Sequence, residues 1–469
     1  MEAFAPATPL METAPGSTRA ELNALVRLAA PLVGANLLQM GVWAIDVVFV
    51  ARLSTVEFAA ATLGVFVFSL IMWALVGLTT ACAPVIAAEL GRRRHAVREV
   101  RRSFRMSMWL AVAAGIPFTL LLLAGEPLLL LAGQQPDVAA RAGDFLRVIA
   151  AALLPALFAA VMRTVAAALG RPGWAMAVTT LALGVGLLAN WLLVFGNAGF
   201  PALGLEGSAL ASSITTAATT LAFALILVLD PKLRRYRLFG KWWRPEWRRL
   251  AEIVRLGVPI ALTFTLEGAL FGGAAVLMGL IGVTEVAAHA VALNIAALAF
   301  QVPLGLSQAA TIRVGLAYGA RDPGWIARAG WVAIVIGIGF MTVTALLMYA
   351  MPRALIGIYL DTDAVAQAAV VALATRLLAV AALFQLFDGA QAVAAGVLRG
   401  LQDTRVPMLV AGVGYWGIGF VTAVLLGFVW RWGAVGIWAG LFTGLMAVSI
   451  LLLWRFAART RFGLIPFTG

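Results

Sequence analysis

Between its charge clusters and Pro/Gly turns this 469-residue chain carries twelve apolar stretches, each long enough for the roughly 20-residue helix that crosses a bilayer. They cover residues 25–50, 57–80, 104–125, 138–162, 174–196, 208–229, 257–280, 285–311, 329–350, 365–398, 407–430 and 434–455. Backbone polar groups in hydrocarbon must be satisfied within their own segment, so each stretch reads as a helix. The tenth is long for one crossing and is expected to bend or to run partly outside the bilayer. No soluble domain fits in what remains. Only 12% of residues are charged and 63% are hydrophobic, where a soluble chain is about half apolar and a quarter charged. A water-soluble enzyme is thereby excluded. The single cysteine, Cys82, excludes a disulfide scaffold.

The net charge of +13 arises from 34 Lys and Arg against 21 Asp and Glu. If both termini and the loops after even-numbered stretches share one side, that side holds 28 of the cations and the other holds 6. This is the asymmetry of the positive-inside rule. It accounts for the basic balance without a nucleic-acid partner and puts both termini in the cytoplasm. Residues 1–20 lack an apolar core, so no cleavable signal peptide is expected. Abundant Ala and Arg with two lysines suggest a GC-rich bacterial genome, for which the membrane of a chain with this charge asymmetry is expected to be the inner one. The basic connector Asp230–Arg255 also carries Trp242, Trp243 and Trp247. It is expected to lie at the headgroup level, with indoles in the interface and arginines toward anionic lipid.

The two halves are related. L-V-R-L-A-A-P from Leu25 matches I-V-R-L-G-V-P from Ile253 at an offset of 228, and Gly91 falls on Gly319 at the same offset. Residues 166–170 meet 395–400, and 204–209 meet 433–438, at offsets of 230 and 229. Duplication of six spans preserves orientation and gives the parallel-repeat plan of rocking carriers. The expected fold is an all-α membrane protein with 12 transmembrane helices in two six-helix lobes related by pseudo-two-fold symmetry. The expected layout is a cytoplasmic tail 1–22, a lobe 23–229, a basic cytoplasmic linker 230–256, a lobe 257–456 and a cytoplasmic tail 457–469.

Three carboxylates sit well inside apolar stretches: Asp46, Glu267 and Asp388. Their counterparts in the other half, Ala274, Gln39 and Phe158, are not acidic, so the frame repeats while the charges do not. Asn36, Gln39, Trp43 and Asp46 share one helix face; Thr263 lies one turn before Glu267; Gln385, Asp388 and Gln391 step by three. Asn294, Gln301 and Gln308 step by seven along the eighth stretch, a polar seam without an acid. Such faces line water or meet one another, and most of the Gln and Asn also suit interhelical hydrogen bonding. Intramembrane acids mark functional sites. A carboxyl desolvated without a cation partner can hold a proton near neutral pH and release it to an arriving metal ion or organic cation. Competition for one carboxylate couples the two movements. No buried arginine evidently pairs with the three acids; Arg376 is twelve residues, about three turns, from Asp388.

Other chemistry is weak. His95 and His289 with one cysteine build no zinc site. No Walker A or G-x-S-x-G sequence is present, so neither an ATP pump nor a serine hydrolase is expected, and no nucleophile–base pair suggests an enzyme.

Four segments carry a family resemblance: L-A-A-P-L-V-G-A-N at 28–36, A-A-H-A-V-A-L-N at 287–294, I-R-V-G at 312–315 and F-D-G-A-Q-A-V-A-A-G-V-L-R-G-L-Q-D-T at 387–404. With them the chain resembles the multidrug and toxic compound extrusion (MATE) family, in its NorM-type bacterial branch, over about residues 20–456. The resemblance implies two six-helix lobes that export small hydrophobic or cationic drugs in exchange for inward H+ or Na+, without a cofactor or structural metal, as a monomer among membrane lipids. It implies that Asp46 and Asn190 form the amino-terminal lobe's cation or proton site and that Glu267 and Asp388 are the carboxy-terminal lobe's acids. Na+ is then expected at Asp46 or at Glu267 and Asp388. Asn36, Gln39, Asn294, Gln301, Gln385 and Gln391 are candidate cavity-lining residues. Two departures favour protons: Phe384 stands where relatives often carry tyrosine, and Gly186 where a second asparagine can occur, leaving fewer oxygens for a hard cation. A lipid-linked-precursor flippase of the same superfamily is the alternative; those usually carry cationic residues in the central cavity.

Overall fold

The computed structural model describes residues 16–93 and 96–465, apart from the side chain of Thr55. His95, most of the expected amino-terminal tail and the last four residues lie outside the described residues. Among the described residues the structure is helical and holds no strand. Twelve helices are long and apolar enough to cross a membrane: Thr18–Val50, Val56–Arg92, Val97–Leu123, Pro136–Ala168, Gly173–Leu193, Gly204–Leu229, Trp247–Ile281, Val283–Gly319, Pro323–Ala350, Val365–Gly400, Arg405–Val429 and Gly433–Ala457. They are spans 1 to 12 below.

All twelve expected stretches are present, and most helices extend beyond them because polar first turns and caps prolong a helix outside hydrocarbon. Span 2 opens on a capping box, in which the Ser54 hydroxyl accepts from Glu57 N while the Glu57 carboxylate accepts from Ser54 N. Span 9 opens on Asp322, which accepts from Trp325 N, with Pro323 at the first helical position. After a short 3-10 turn the α-helix of span 10 is continuous over Ala368–Gly400. The expectation for the linker is corrected. It forms turns and a 3-10 segment at Arg234–Tyr236 rather than a helix at the headgroup level, and span 7 already begins at Trp247.

The described residues divide into two compact units, 34–261 and 262–465, the second also taking in residues 16–33. Span 1 changes unit two residues beyond Pro31, and span 7 two residues beyond Pro259. These prolines are equivalent at the offset of 228, and each removes a ladder hydrogen bond within its helix. The expected lobe boundaries at 23 and 257 therefore differ from the compact units by about three helical turns in span 1 and about one in span 7.

In the first unit, span 4 packs against spans 2, 3 and 6. Its core includes Phe145, Leu146, Leu153 and Leu157. The linker is fixed to this unit: Arg101 Nε donates to Tyr236 O at 3.1 Å, Arg105 to Lys241 O at 2.8 Å and Trp109 Nε1 to Trp242 O at 3.2 Å. Arg105 also pairs with Glu246 at 2.9 Å, and Arg249 with Glu99 at 2.7 Å.

The second unit repeats the plan, with span 10 packed against spans 8, 9 and 12. Small residues allow close approach. A side chain at Gly396 would meet Ser307 Oγ at 2.4 Å, and one at Gly440 would meet Ala423 N at 2.2 Å. At one end, the fully buried Glu21 and Arg313 form a bidentate pair at 2.8 and 2.6 Å, and Trp325 Nε1 donates to Glu21 at 3.0 Å. Several arginines assigned to loops by the charge count thus belong to helices, and Arg105 and Arg313 are neutralised there.

Candidate functional site: an acidic site in each unit

The site of the first unit is built by spans 1, 5 and 6. Asp46, half-buried on span 1, accepts a hydrogen bond on each oxygen: from Asn190 Nδ2 at 2.7 Å on Oδ1 and from Ser212 Oγ at 2.7 Å on Oδ2. Asn190 is fully buried, and its amide also donates to Gly186 O at 2.9 Å, one turn earlier. Asn190 Oδ1 has no hydrogen-bond partner, so a buried acceptor is left over beside the carboxylate. Asn36 is buried on the same span, with an unpartnered Nδ2, and Gln39 is half-buried. Neither bonds to Asp46. Ser212 escaped the sequence reading; the run of hydroxyls at Ser212, Ser213, Thr215 and Thr216 was the available signal.

The site of the second unit is built by spans 7, 10 and 11. Gln391 Nε2 donates to Glu267 Oε1 at 3.2 Å and to Asp388 Oδ1 at 3.3 Å, so one amide nitrogen bridges two carboxylates. Tyr415 donates to Gln391 Oε1 at 2.9 Å and fixes the amide's orientation. Asp388, Gln391 and Tyr415 are buried and Glu267 is half-buried. Tyr415 stands in a π-helical stretch, Gly412–Phe420, whose wider turn departs from the α-helix expected there. It supplies a hydroxyl to the site although Phe384 has none. The available signal was one of five tyrosines within a glycine-rich run of span 11.

Three further candidates are not bonded to the acids. Gln385 is buried on the next turn but donates to Ala296 O at 3.3 Å on span 8. The polar seam on span 8 turns back on itself: Asn294 donates to Ala290 O at 2.8 Å and Gln301 to Ala297 O at 3.0 Å. Asn294 is exposed on the helix surface. Phe384 packs on Trp438 at 5.3 Å between ring centroids, and Trp438 Nε1 donates to His289 Nδ1 at 3.1 Å, which occupies that histidine in the core.

None of Asp46, Glu267 and Asp388 forms an ion pair within 4 Å of a described cation. Arg376 is exposed. One cation does act on Glu267 electrostatically: Arg399, which lies inside span 10 and not in the loop to which the sequence reading assigned it. Among the described residues no three His, Cys, Asp or Glu side chains cluster as metal ligands.

Twelve spans in two repeated units, each holding a carboxylate site without an ion-paired cation, define a duplicated multi-pass membrane protein of carrier type. The chain belongs to the MatE family, whose model matches residues 31–192 and 259–425. It is 47% identical over 443 residues to the probable multidrug resistance protein NorM of Mesorhizobium japonicum, covering 94% of this chain and 95% of that one. It is 40% identical over 435 residues to the multidrug resistance protein NorM of Burkholderia vietnamiensis, covering 92% and 93%. The fold matches that of a eukaryotic MATE transporter, AtDTX14, with a TM-score of 0.84 at 20% identity over 95% of this chain and 99% of that one. It matches an outward-facing multidrug resistance MATE family transporter equally, with a TM-score of 0.84 at 21% identity over 98% of both.

Proposed function

We propose that this protein is a secondary active antiporter that exports organic cations and other drugs in exchange for H+ or Na+. The observation that carries the proposal is the pair of carboxylates, Glu267 and Asp388, joined by one Gln391 nitrogen with no cation in ion-pair distance. Two like charges this close repel, and one positive passenger between them relieves the repulsion. A proton, Na+ or an organic cation serves equally, so each displaces the others and the fluxes are coupled. The relatives' names support drugs as cargo.

Asp46 and Asn190 are the second coupling site, with Ser212 as a reversible partner. A hydroxyl donates to an ionised carboxylate and accepts from a protonated one, so the site accommodates either state without losing a hydrogen bond. Na+ would draw on the carboxylate, Ser212 Oγ and Asn190 Oδ1. With one carboxylate and few neutral oxygens, the donor set favours H+ as the coupling ion.

The 28-to-6 division of cations supports a bacterial inner membrane location with both tails and the 230–256 linker in the cytoplasm. Each acidic site is complete within one chain, which supports a monomer as the working unit. Three carboxylates without an ion-paired cation, Asp46, Glu267 and Asp388, favour drug export over flipping of anionic lipid-linked precursors. Expression in a bacterial strain stripped of its own efflux pumps tests this. Export predicts lowered ethidium accumulation and raised resistance to cationic drugs; wild-type accumulation together with rescue of a precursor-flipping defect would establish the flippase instead.

A further inference from the structure

Arg399, half-buried near the end of span 10, has no carboxylate in ion-pair distance among the described residues. Arg313 is matched by Glu21 and Arg105 by Glu246, whereas the Arg399 guanidinium meets only neutral groups. It donates to Ser307 Oγ at 2.9 Å and to Ala395 O, one turn earlier, at 3.2 Å. Its Cζ lies 5.5 Å from the centroid of the Phe264 ring. Ser307 is itself buried and held by Ala392 O at 2.7 Å, so this resting place is rigid. The hydrogen bonds of Arg399 are all to neutral oxygens, although Glu267 acts on it electrostatically.

Its position supplies a role. Phe264 is one turn before Glu267 on span 7, and Arg399 is three turns beyond Asp388 on the same stripe of span 10. In helices long side chains lean toward the amino terminus, which directs Arg399 toward the acids. The one titratable group that acts on it electrostatically is Glu267 on span 7, while span 8 offers the neutral Ser307.

We infer that Arg399 is the internal counter-ion of the Glu267–Asp388 pair, a positioning residue that swings from Ser307 to Glu267 when the positive passenger has left and returns when the next arrives. This rests on the reading of the pair as a coupling site. It gives the site a third competitor that never leaves the protein. An emptied pair is then not stranded with two bare charges, and release of a bound cation is assisted.

The test is equilibrium binding of ethidium to the purified full-length protein, followed by fluorescence, alongside ethidium export by proteoliposomes. Arg399→Gln removes the competitor. It should tighten ethidium binding about fivefold, the size of a unit charge at several ångströms in a partly screened site, and lower maximal turnover without raising KM. Arg399→Lys should restore most of the turnover. In a Glu267→Gln background, Arg399→Gln should leave ethidium affinity unchanged. Ser307→Ala, which frees the guanidinium without removing it, should weaken binding and guards against a misfolded Arg399→Gln. Unchanged affinity in Arg399→Gln, or the same change in both backgrounds, overturns the inference. If instead Glu267→Gln itself binds and exports ethidium like the wild type, the coupling site has been misplaced, and that result separates the two failures.

Discussion

Asp46, half-buried, and Asp230, buried, are both carboxylates held by several hydrogen bonds, yet their partners give them opposite uses. Asp46 has only neutral partners, Asn190 and Ser212. Loss of the reversible one should cripple exchange: Ser212→Ala is expected to slow gradient-driven export about tenfold, since a hydrogen bond to a charged group contributes about 1.5–3 kcal/mol. Initial export rates from proteoliposomes check this. Asp230, just beyond span 6, is instead bound by Arg171, by Trp174 Nε1 at 2.8 Å and by the backbone N–H of Lys232 at 2.9 Å. Burial pushes its carboxyl up, but the hydrogen bonds from Arg171, Trp174 and Lys232 and the charge of Arg171 outweigh it and hold it below the usual range. A depressed folded-state value stabilises the fold above the unfolded value, about 4, and the stabilisation is lost as pH falls through the folded value. Thermal unfolding of the purified protein should therefore be less sensitive to acid in Asp230→Asn than in the wild type, and Asp230→Asn should cost about 2–3 kcal/mol at pH 7. The acids were legible in the sequence because hydrocarbon makes a carboxylate conspicuous. Ser212 was not, because hydroxyls in a span usually bond their own helix, as Thr215, Thr216 and Thr219 do. Asn294 and Gln301 read as a seam for the same reason in reverse: spacing places side chains on a face but does not say that each is satisfied by its own helix.

Spans 11 and 12 show how an element's packing serves the site. The stripe Gly436, Gly440 and Gly444 on span 12 lets the backbone of span 11 approach closely, and Gly444 does so at Gly414 and Gly419, within the π-helical stretch that carries Tyr415. A methyl group at Gly440 would meet backbone rather than a movable side-chain tip, so Gly440→Ala should destabilise by about 1–3 kcal/mol. A fall of several degrees in the detergent-solubilised unfolding midpoint would show it. Tyr415→Phe keeps the packing and leaves Gln391 Oε1 without its donor. It should hold the midpoint nearly constant while lowering ethidium export, a split that separates the hydroxyl from the ring. Span existence was readable from apolar length. Span ends were not, because caps such as Ser54–Glu57 and Asp322 continue a helix past the hydrocarbon. The π turn was not readable either, since it lies against the glycines of a neighbouring helix.

The molecule as a whole is a duplicated frame carrying unduplicated charges. Spans 4 and 10 play the same central part in their units, and the equivalent prolines 31 and 259 mark the same change of packing partner. The acids follow no such symmetry: one in the first unit, two bridged by an amide in the second. Duplication and family were legible from repeated and shared segments spread along the chain. Arg399 was misread as a loop residue because the charge count attends to apolar stretches, and a long helix buries its last turn. The central claim is that Asp46, Glu267 and Asp388 carry the exchanged cation, and it is tested most directly by ethidium export from proteoliposomes under an imposed outside-acid or outside-Na+ gradient. The account predicts that the gradient drives export by the wild type and that Asp46→Asn, Glu267→Gln and Asp388→Asn each reduce it strongly at unchanged protein insertion. Full gradient-driven export by all three variants would contradict it.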